Sequence, residues 1–535
     1  MLEFGLLNWT IVGFYILGSL VLGVYFNRRV KTAEHYYLGD RTTPWWAIGL
    51  SVMATYVGSL SFLGGPAWAY TEGFAVIFIH INYPIAIFIV ISVFLPFFYN
   101  SGIATIYEYL ERRFGSLSRA VMSAIFLFGN IAYSGIMLYT TALVIEFITG
   151  MDVVTAIWIV SAIAVTYTML GGISAVIWTD VIQSVVLLIG AIIVLVLLLD
   201  ALPLSLWQTL GELKTAGKTD PFNMSTDPSK VSTIWTGIVA MSIYHVVVYG
   251  VNQMMVQRTL AAKSLGDAKK AYTLMGYTAF FIFSLFFLLG LLLNAYYQDA
   301  PFENGNTIML EFVALADIPG VMGLITVAIV AAAMSSLDSS LNSMATVTTI
   351  DFYQQYFKPD ETSSHYLRAS RIFTVVWGLL IVGPAIIFAG SDGSVLEILS
   401  KLGSFFVGAK LSMYFLGFYS KHTTERGLLV GVACGFATLW YVEYHMTIAW
   451  PWYCAIGGAV SLVVGWVSSI ALDGFQEDFH PYTVQGQKRL FEENGWDTKN
   501  DGWYVLPGKV DASSYGLLVF FVACLATLYL IQYLL

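Results

Sequence analysis

The sequence predicts an all-α integral membrane protein of about fourteen transmembrane helices, its core a five-plus-five inverted repeat built on discontinuous helices. Three observations predict this. Of 535 residues, 58% are hydrophobic and 11% charged, against about 25% charged in a soluble domain. The apolar residues fall in runs long enough to cross a hydrocarbon layer of about 30 Å. Two of those runs, five spans apart, are interrupted by glycine and polar residues, the pattern that places a binding site between repeats of opposite topology.

The first run, 6–26, has no basic segment before it and no small-residue cleavage site after it, so it reads as a retained span. Neither end carries a lipidation motif. The second, 45–66, contains ATYVGSLSFLGG, and Gly64-Gly65-Pro66 predicts a helix that unwinds near its middle, freeing carbonyls near Ala54 and Val57. The same small residues would equally serve close helix packing. Runs 74–98, 119–147, 153–170 and 175–199 follow, the last with Asp180 just inside its start. Run 233–257 contains SIYHVVVYGVNQMMVQR, where Gly250 beside Asn252 and Gln253 marks the second interruption. After 271–296 comes 320–350, which carries AAAMSSLDSSLNS at 331–343. Runs 370–389, 396–419, 427–444, 452–472 and 515–535 complete the set. On this pattern 6–26 is a peripheral first helix, 45–199 one repeat and 233–419 the other. Segment 427–535 adds peripheral helices and a loop at 473–514.

Basic residues set the sidedness. Alternate loops hold Arg28, Arg29, Lys31 and Arg41; Arg112, Arg113 and Arg119; Arg258, Lys263, Lys269 and Lys270; Lys358, Arg368 and Arg371; Lys421 and Arg426; and Lys488, Arg489, Lys499 and Lys509. The opposite loops hold only Lys214, Lys218 and Lys230, while Lys401 and Lys410 lie within a span. Basic loops face the cytoplasm, which puts both termini outside a plasma (inner) membrane. A net charge of −9 without a basic patch argues against a nucleic-acid partner. Cys434, Cys454 and Cys524 lack the spacing of a metal site or disulfide framework and read as core residues. Loop 473–514 is polar and aromatic-rich, suited to docking on the membrane face or to a partner, though no obligatory protein partner is evident. No GxSxG, HExxH, Walker-type loop or CxxC stands in a supporting context, so neither an enzyme nor an organic cofactor is expected.

An ionisable residue at membrane depth marks by default an ion or substrate pathway. In 331–343, Ala332, Ser335, Ser336 and Ser339 fall on one stripe at 3.6 residues per turn. The Ser335 and Ser336 hydroxyls and the Ala332 carbonyl, facing carbonyls of a broken helix, suit a weakly held hard cation, Na⁺ first. Asp338 lies at the edge of that stripe; a helix-paired structural carboxyl is the plainer reading. Asp180 reads as an interfacial cap unless it faces Ser335, Asp338 or Ser339. His80 and His245 read as satisfied core histidines or solute contacts. Tyr56, Phe62, Trp68, Tyr83, Tyr133 and Tyr249 read as packing residues, a few of them able to stack on a solute.

WTDVIQ (178–183), YGVNQMMVQR (249–258) and SSLDSSLNS (335–343) leading to IDFY (350–353), in that order, resemble the sodium/solute symporter family. That family includes the galactose, sialic acid, proline, iodide, multivitamin and monocarboxylate carriers. AEHYYLGDRTTPWWAIGLSVMAT, IATIYEYLERRFG and VQRTLAAKSLGDAKKA extend the likeness, which covers roughly residues 1–440. The resemblance implies alternating access driven by an inward Na⁺ gradient. It implies a main sodium site from the carbonyls of Ala54, Val57 and Ala332 with the hydroxyls of Ser335 and Ser336. A second site would use Asp180, Ser335, Asp338 and Ser339, where Asp338 departs from the family's Ser or Thr and opens proton coupling as an alternative. Solute-holding positions would be Ser59, Ser61, His80, Tyr83, Tyr133, Tyr249, Asn252 and Gln253. Ser61 and His80 replace the Gln and Glu of the galactose carrier, and Tyr133 replaces a carboxylate-binding Arg of the sialic acid carrier. The implied cargo is a small polar organic solute, sugar-like or a carboxylate. A sodium- or solute-sensing receptor with loop 473–514 as its output is the alternative from another class. A channel is disfavoured, since no pore filter or charged ring appears.

Overall fold

Among the described residues ten helices are long and apolar enough to cross a membrane, and two bent pairs bring the number to twelve. The computed structural model describes residues 4–27, 30–39, 41–302, 305–389 and 395–535. Arg28, Arg29 and the Lys401 side chain, used above for sidedness, lie outside what is described. The two further runs expected from hydropathy correspond to the shorter apolar stretch Val153–Thr166 and to the helix Val395–Tyr419. Expected runs 153–170 and 175–199 form one element, Val153–Ala201, broken at Gly172 by φ 59° and ψ −162°. A Cβ at Gly172 would lie 2.9 Å from the Tyr36 carbonyl oxygen, so both the turn and the close approach require glycine there.

The bent pairs are Trp45–Tyr56 with Ser59–Glu72, at 58°, and Thr236–Gly250 with Gln253–Leu260, at 50°. The second breaks where the sequence placed it; Asn252 Oδ1 then accepts from the Met254 amide at 3.1 Å and caps the restarted helix. The first bends near its middle, beside Ala54 and Val57 as expected, but not through the residues expected to cause it. Its break falls at Val57 and Gly58, and Gly64-Gly65-Pro66 lie inside the helix Ser59–Glu72. Packing explains the difference. A Cβ at Gly290 would stand 2.2 Å from the Pro66 carbonyl oxygen, so this surface receives the helix Leu265–Tyr297 at backbone contact. At Gly58 a Cβ would lie 2.8 Å from Ser336 Oγ, which is why the residue at the break itself is side-chain-free.

The serine helix, Val321–Val347, runs through the middle of the bundle: 89% of its apolar window is buried. The first and last helices, Leu6–Asn27 and Tyr515–Leu534, are 17% buried over theirs and present residues such as Leu6 and Tyr533 outward, as a lipid-facing rim does.

Four residues read as loop cations are interior. Arg258 and Lys269 are fully buried, and Arg113 and Arg119 nearly so. Arg113 donates to the carbonyls of Gly417 and Ser420 at 3.2 and 2.7 Å. Arg119 pairs with buried Asp351 at 2.6 Å and with Glu111 at 2.5 Å. Each guanidinium or ammonium is inside because a carboxylate or a set of carbonyls meets it there, which charge counting along the chain cannot detect.

Segment 473–514 docks on the bundle. It holds a helix, Val484–Asn494, and a two-stranded hairpin, Lys499–Asn500 with Trp503–Tyr504. Lys269 Nζ meets Asp511 at 2.6 Å and the Tyr504 carbonyl at 2.8 Å, while Asn100 Nδ2 donates to the Val505 carbonyl at 2.7 Å. The Tyr109 hydroxyl donates to the Tyr482 carbonyl at 2.8 Å. Lys269→Met strands Asp511 without a counter-charge, a loss of about 3 kcal/mol for a buried pair. Limited proteolysis in detergent should then cut 499–511 at least tenfold faster than in the unmodified protein; an unchanged rate would show that the pair does not hold the loop.

Candidate functional site

The polar residues of the serine helix point in four directions, and each meets a partner. Toward the first bent pair, Ser335 Oγ donates to the Ala54 carbonyl at 2.9 Å and to the Ala332 carbonyl at 2.8 Å. Ser336 Oγ donates to the Thr55 carbonyl at 3.1 Å. The Ala54 and Thr55 carbonyls are in the turn that loses helical partners where the helix stops at Tyr56, since the last turn has no amide to follow. Ala54, Ala332, Ser335 and Ser336 therefore meet at one point, with Val57 as the break residue and Thr55 contributing a carbonyl that the sequence did not single out. All of them are buried, and none carries a formal charge.

One turn along, Ser339 Oγ donates to the Ser335 carbonyl, lies 3.3 Å from Thr55 Oγ1, and accepts from the Arg258 guanidinium. Arg258 is the centre of this second cluster. Its Nη2 reaches Asp180 Oδ2 at 3.2 Å, its Nε donates to Ser51 Oγ at 2.8 Å, and Ser51 Oγ donates to Asp180 Oδ2 at 2.5 Å. Arg258 and Asp180 are both fully buried. Asp338 lies elsewhere: its Oδ1 accepts from Thr168 Oγ1 at 3.3 Å. The grouping of Asp180, Ser335, Asp338 and Ser339 is thus divided. Arg258 bridges Asp180 Oδ2 and Ser339, Asp180 Oδ1 has no hydrogen-bond partner among the described residues, and Asp338 faces Thr168 on the kinked helix.

The remaining polar positions are structural. Asn342 Oδ1 accepts from Gln257 Nε2 at 3.0 Å, and Ser343 Oγ donates to Gln257 Oε1 at 3.1 Å. Ser340 is 2.6 Å from Ser134 on the helix Ser116–Thr149.

Beside the first break lies a cavity of about 220 Å³, room for one small organic molecule. Ser61, His80, Tyr133 and Asn252, expected from the sequence, line it; so do Tyr56, Asn130, Tyr244 and Lys410, which the sequence reading did not assign to it. Trp68, Phe283, Phe287 and Phe406 supply apolar wall. The other four expected residues are not among those lining it. Tyr83 stands behind His80, its hydroxyl 2.9 Å from His80 Nδ1. Tyr249 is fully buried, and its backbone carbonyl accepts from the Tyr272 hydroxyl at 2.6 Å. Ser59 is fully buried against Met137 Sδ at 4.0 Å. Gln253 clamps the backbone at Ala104 and Ile106, both at 3.0 Å. The missed residues carried a usable signal: a lysine or asparagine alone in an apolar span meets the same test that singled out Asp338.

His245 orients the wall. Asn82 Nδ2 donates to the carbonyls of Phe78 and Ile79, at 3.4 and 3.1 Å, which turns Asn82 Oδ1 toward His245 Nδ1 at 2.5 Å. With the proton on Nδ1, His245 Nε2 accepts from the Tyr56 hydroxyl at 2.9 Å. Tyr56 thereby reaches the cavity as a ring whose hydroxyl is already bound.

The model of the family described as "Sodium:solute symporter family" matches residues 36–435. A sodium/sialic acid symporter of Aliivibrio fischeri is 32% identical over 479 residues, covering 87% of this chain and 94% of its own. The sodium-coupled monocarboxylate transporter 1 of Homo sapiens is 30% identical over 79% of this chain and 71% of its own. Among solved structures, a Na⁺-coupled sialic acid symporter in a substrate-bound, outward-open state superimposes with a TM-score of 0.83 at 28% identity, covering 89% of this chain and all of that one. Mhp1, a nucleobase-cation-symport-1 family transporter, superimposes at 0.54 with 16% identity over 83% of this chain and 96% of its own, a likeness of fold.

Proposed function

The chain belongs to the sodium:solute symporter family, and we propose that its coupling ion binds where Ala54, Val57, Ala332, Ser335 and Ser336 meet, with the solute in the adjoining cavity. It is a multi-pass membrane protein and a sodium-coupled solute symporter working by alternating access, not an enzyme. The solute we assign is small, polar and organic, either sugar-like or a carboxylate as the relatives' names suggest. We place the protein in the plasma (inner) membrane with both termini outside, on the loop charges that remain after the four interior cations are set aside.

One observation carries the ion assignment: two serine hydroxyls of an unbroken central helix meet the unpaired carbonyls at the break of another. With Na⁺ present, each hydroxyl turns its proton away and offers a lone pair, and the ion gathers the carbonyls that the hydroxyls now satisfy. The ion bridges the two helices, so its arrival fixes their relative position and its departure releases them. Neutral oxygen ligands hold a monovalent cation weakly, which suits an ion that must leave on the other side. The solute cavity is lined by the same broken helices, Tyr56 and Ser61 from the first and Asn252 from the second, which supports coupling through that shared wall. Residues 45–199 and 233–419 are the two repeats on this reading, each opening with one bent pair.

The test is the melting temperature of purified protein in NaCl against KCl at equal ionic strength. A ligand that binds the folded state alone stabilises it by RT ln(1 + [L]/Kd). A sodium-specific rise supports the site; equal melting in both salts with steep pH dependence would transfer coupling to protons.

A further inference from the structure

We propose that Lys410, on the helix Val395–Tyr419, is the anchor for a carboxylate of the transported solute and makes this symporter select organic acids over neutral sugars. The proposal rests on the reading of the cavity as the solute site and sharpens it to a charge class.

Lys410 is 9% exposed and lines the cavity. It is the one lysine, arginine, aspartate or glutamate among the described lining residues. The other buried cations each have polar partners: Arg258 has Asp180, Arg119 has Asp351, Lys269 has Asp511, and Arg113 has two carbonyls. Lys410 differs. Among the described residues its recorded contact is with the Phe126 ring, 5.9 Å from Nζ to the centroid. A cation–π contact at that distance sits at the outer limit of a useful interaction and leaves the ammonium's donors unanswered.

A lone buried ammonium is costly to keep, and the same cost falls away when an anion arrives. Among the described lining residues there is one positive charge and no negative one, an arrangement that attracts a ligand with one negative charge. Asn130, Tyr133, Tyr244 and Asn252 offer neutral hydrogen bonds to hydroxyls or amides on the rest of it, and Trp68 and Phe406 cover its apolar face. A neutral sugar fits the volume but leaves Lys410 unpaired, so specificity follows from charge and not from shape.

Full-length protein is melted in NaCl and in KCl with lactate against lactamide, N-acetylneuraminate against its methyl ester, and galactose. Unmodified protein, Lys410→Met and Lys410→Arg are compared. In the absence of solute, Lys410→Met should melt about 2 °C or more above the unmodified protein, since a cost is removed and no pair is broken. At least one acid should stabilise the unmodified protein well beyond its neutral counterpart, bind Lys410→Met at least tenfold more weakly, and keep its preference in Lys410→Arg. Lower melting of Lys410→Met without solute would reveal a structural partner and overturn the proposal. So would neutral compounds stabilising the unmodified protein as well as the acids do. Loss of the NaCl–KCl difference in unmodified protein would sink the sodium assignment alone, because the acid-against-neutral comparison is read within each salt.

Discussion

Arg258→Met should lower stability by about 3–5 kcal/mol, the penalty for leaving a buried carboxylate without its counter-charge. Asp180 is fully buried, and Arg258 is the only cation recorded against it among the described residues. The variant should melt far below the unmodified protein in either salt. Adding Asp180→Asn in the same chain should recover a large part of the loss, because the unpaired charge is then gone. Arg258→Lys should rescue little: Nε of the guanidinium binds Ser51, Nη1 the Met254 carbonyl, and Nη2 both Asp180 and Ser339, a fork that an ammonium cannot copy. If Arg258→Met melts within a few degrees of the unmodified protein, the pair is not what holds Ser51, Asp180 and Ser339 together. The same experiment bears on ion stoichiometry. Arg258 meets only Oδ2 of Asp180 and leaves Oδ1 unpartnered among the described residues. Asp180→Asn alone should therefore change the steepness of the sodium dependence of uptake if Oδ1 takes a second ion; unchanged steepness leaves Asp180 to the arginine alone.

Ser336→Ala should raise the sodium concentration for half-maximal uptake tenfold or more, with Ser335→Ala worse because Ser335 Oγ touches carbonyls on both helices. Loss of one ligand from a site of about five neutral oxygens removes a contact that water cannot replace at the same depth. Folding should suffer less. A neutral buried hydroxyl contributes about 1 kcal/mol, so both variants should purify and melt near the unmodified protein in KCl. The sodium-induced rise should shrink in each. Uptake with unchanged sodium dependence in Ser336→Ala would move the site elsewhere.

The contrast between these two predictions follows from how each cluster is built. Ser335 and Ser336 were legible in the sequence because a polar stripe inside an apolar helix has a period, and the period names the face. The break in the first bent pair was legible in its place beside Ala54 and Val57 but not in the residues that cause it, since glycines that unwind a helix and glycines that admit a neighbour look alike along the chain. Only the approach of Leu265–Tyr297 to Pro66 separates them. Arg258 was read as a loop cation because it ends an apolar run; its partners Ser51, Asp180 and Ser339 lie 207, 78 and 81 residues away. Ser59, Tyr83, Tyr249 and Gln253 have the chemistry of solute contacts and stand beside residues that line the cavity, yet their rotation about the helix axis turns them into the protein.

The sequence by itself therefore determined the class of molecule, its broken helices, the serine face and, through its family motifs, sodium-coupled symport. Those depend on hydrophobicity and local periodicity, which are properties of consecutive residues. The tertiary structure decided which buried charge meets which. It pairs Arg258 with Asp180 and sends Asp338 to Thr168. It also brings Lys410 to the cavity wall with no carboxylate among the described lining residues. Such choices depend on distances between helices far apart in the chain, and in a low-dielectric interior those distances settle whether a charge is neutralised, stranded or waiting for a ligand.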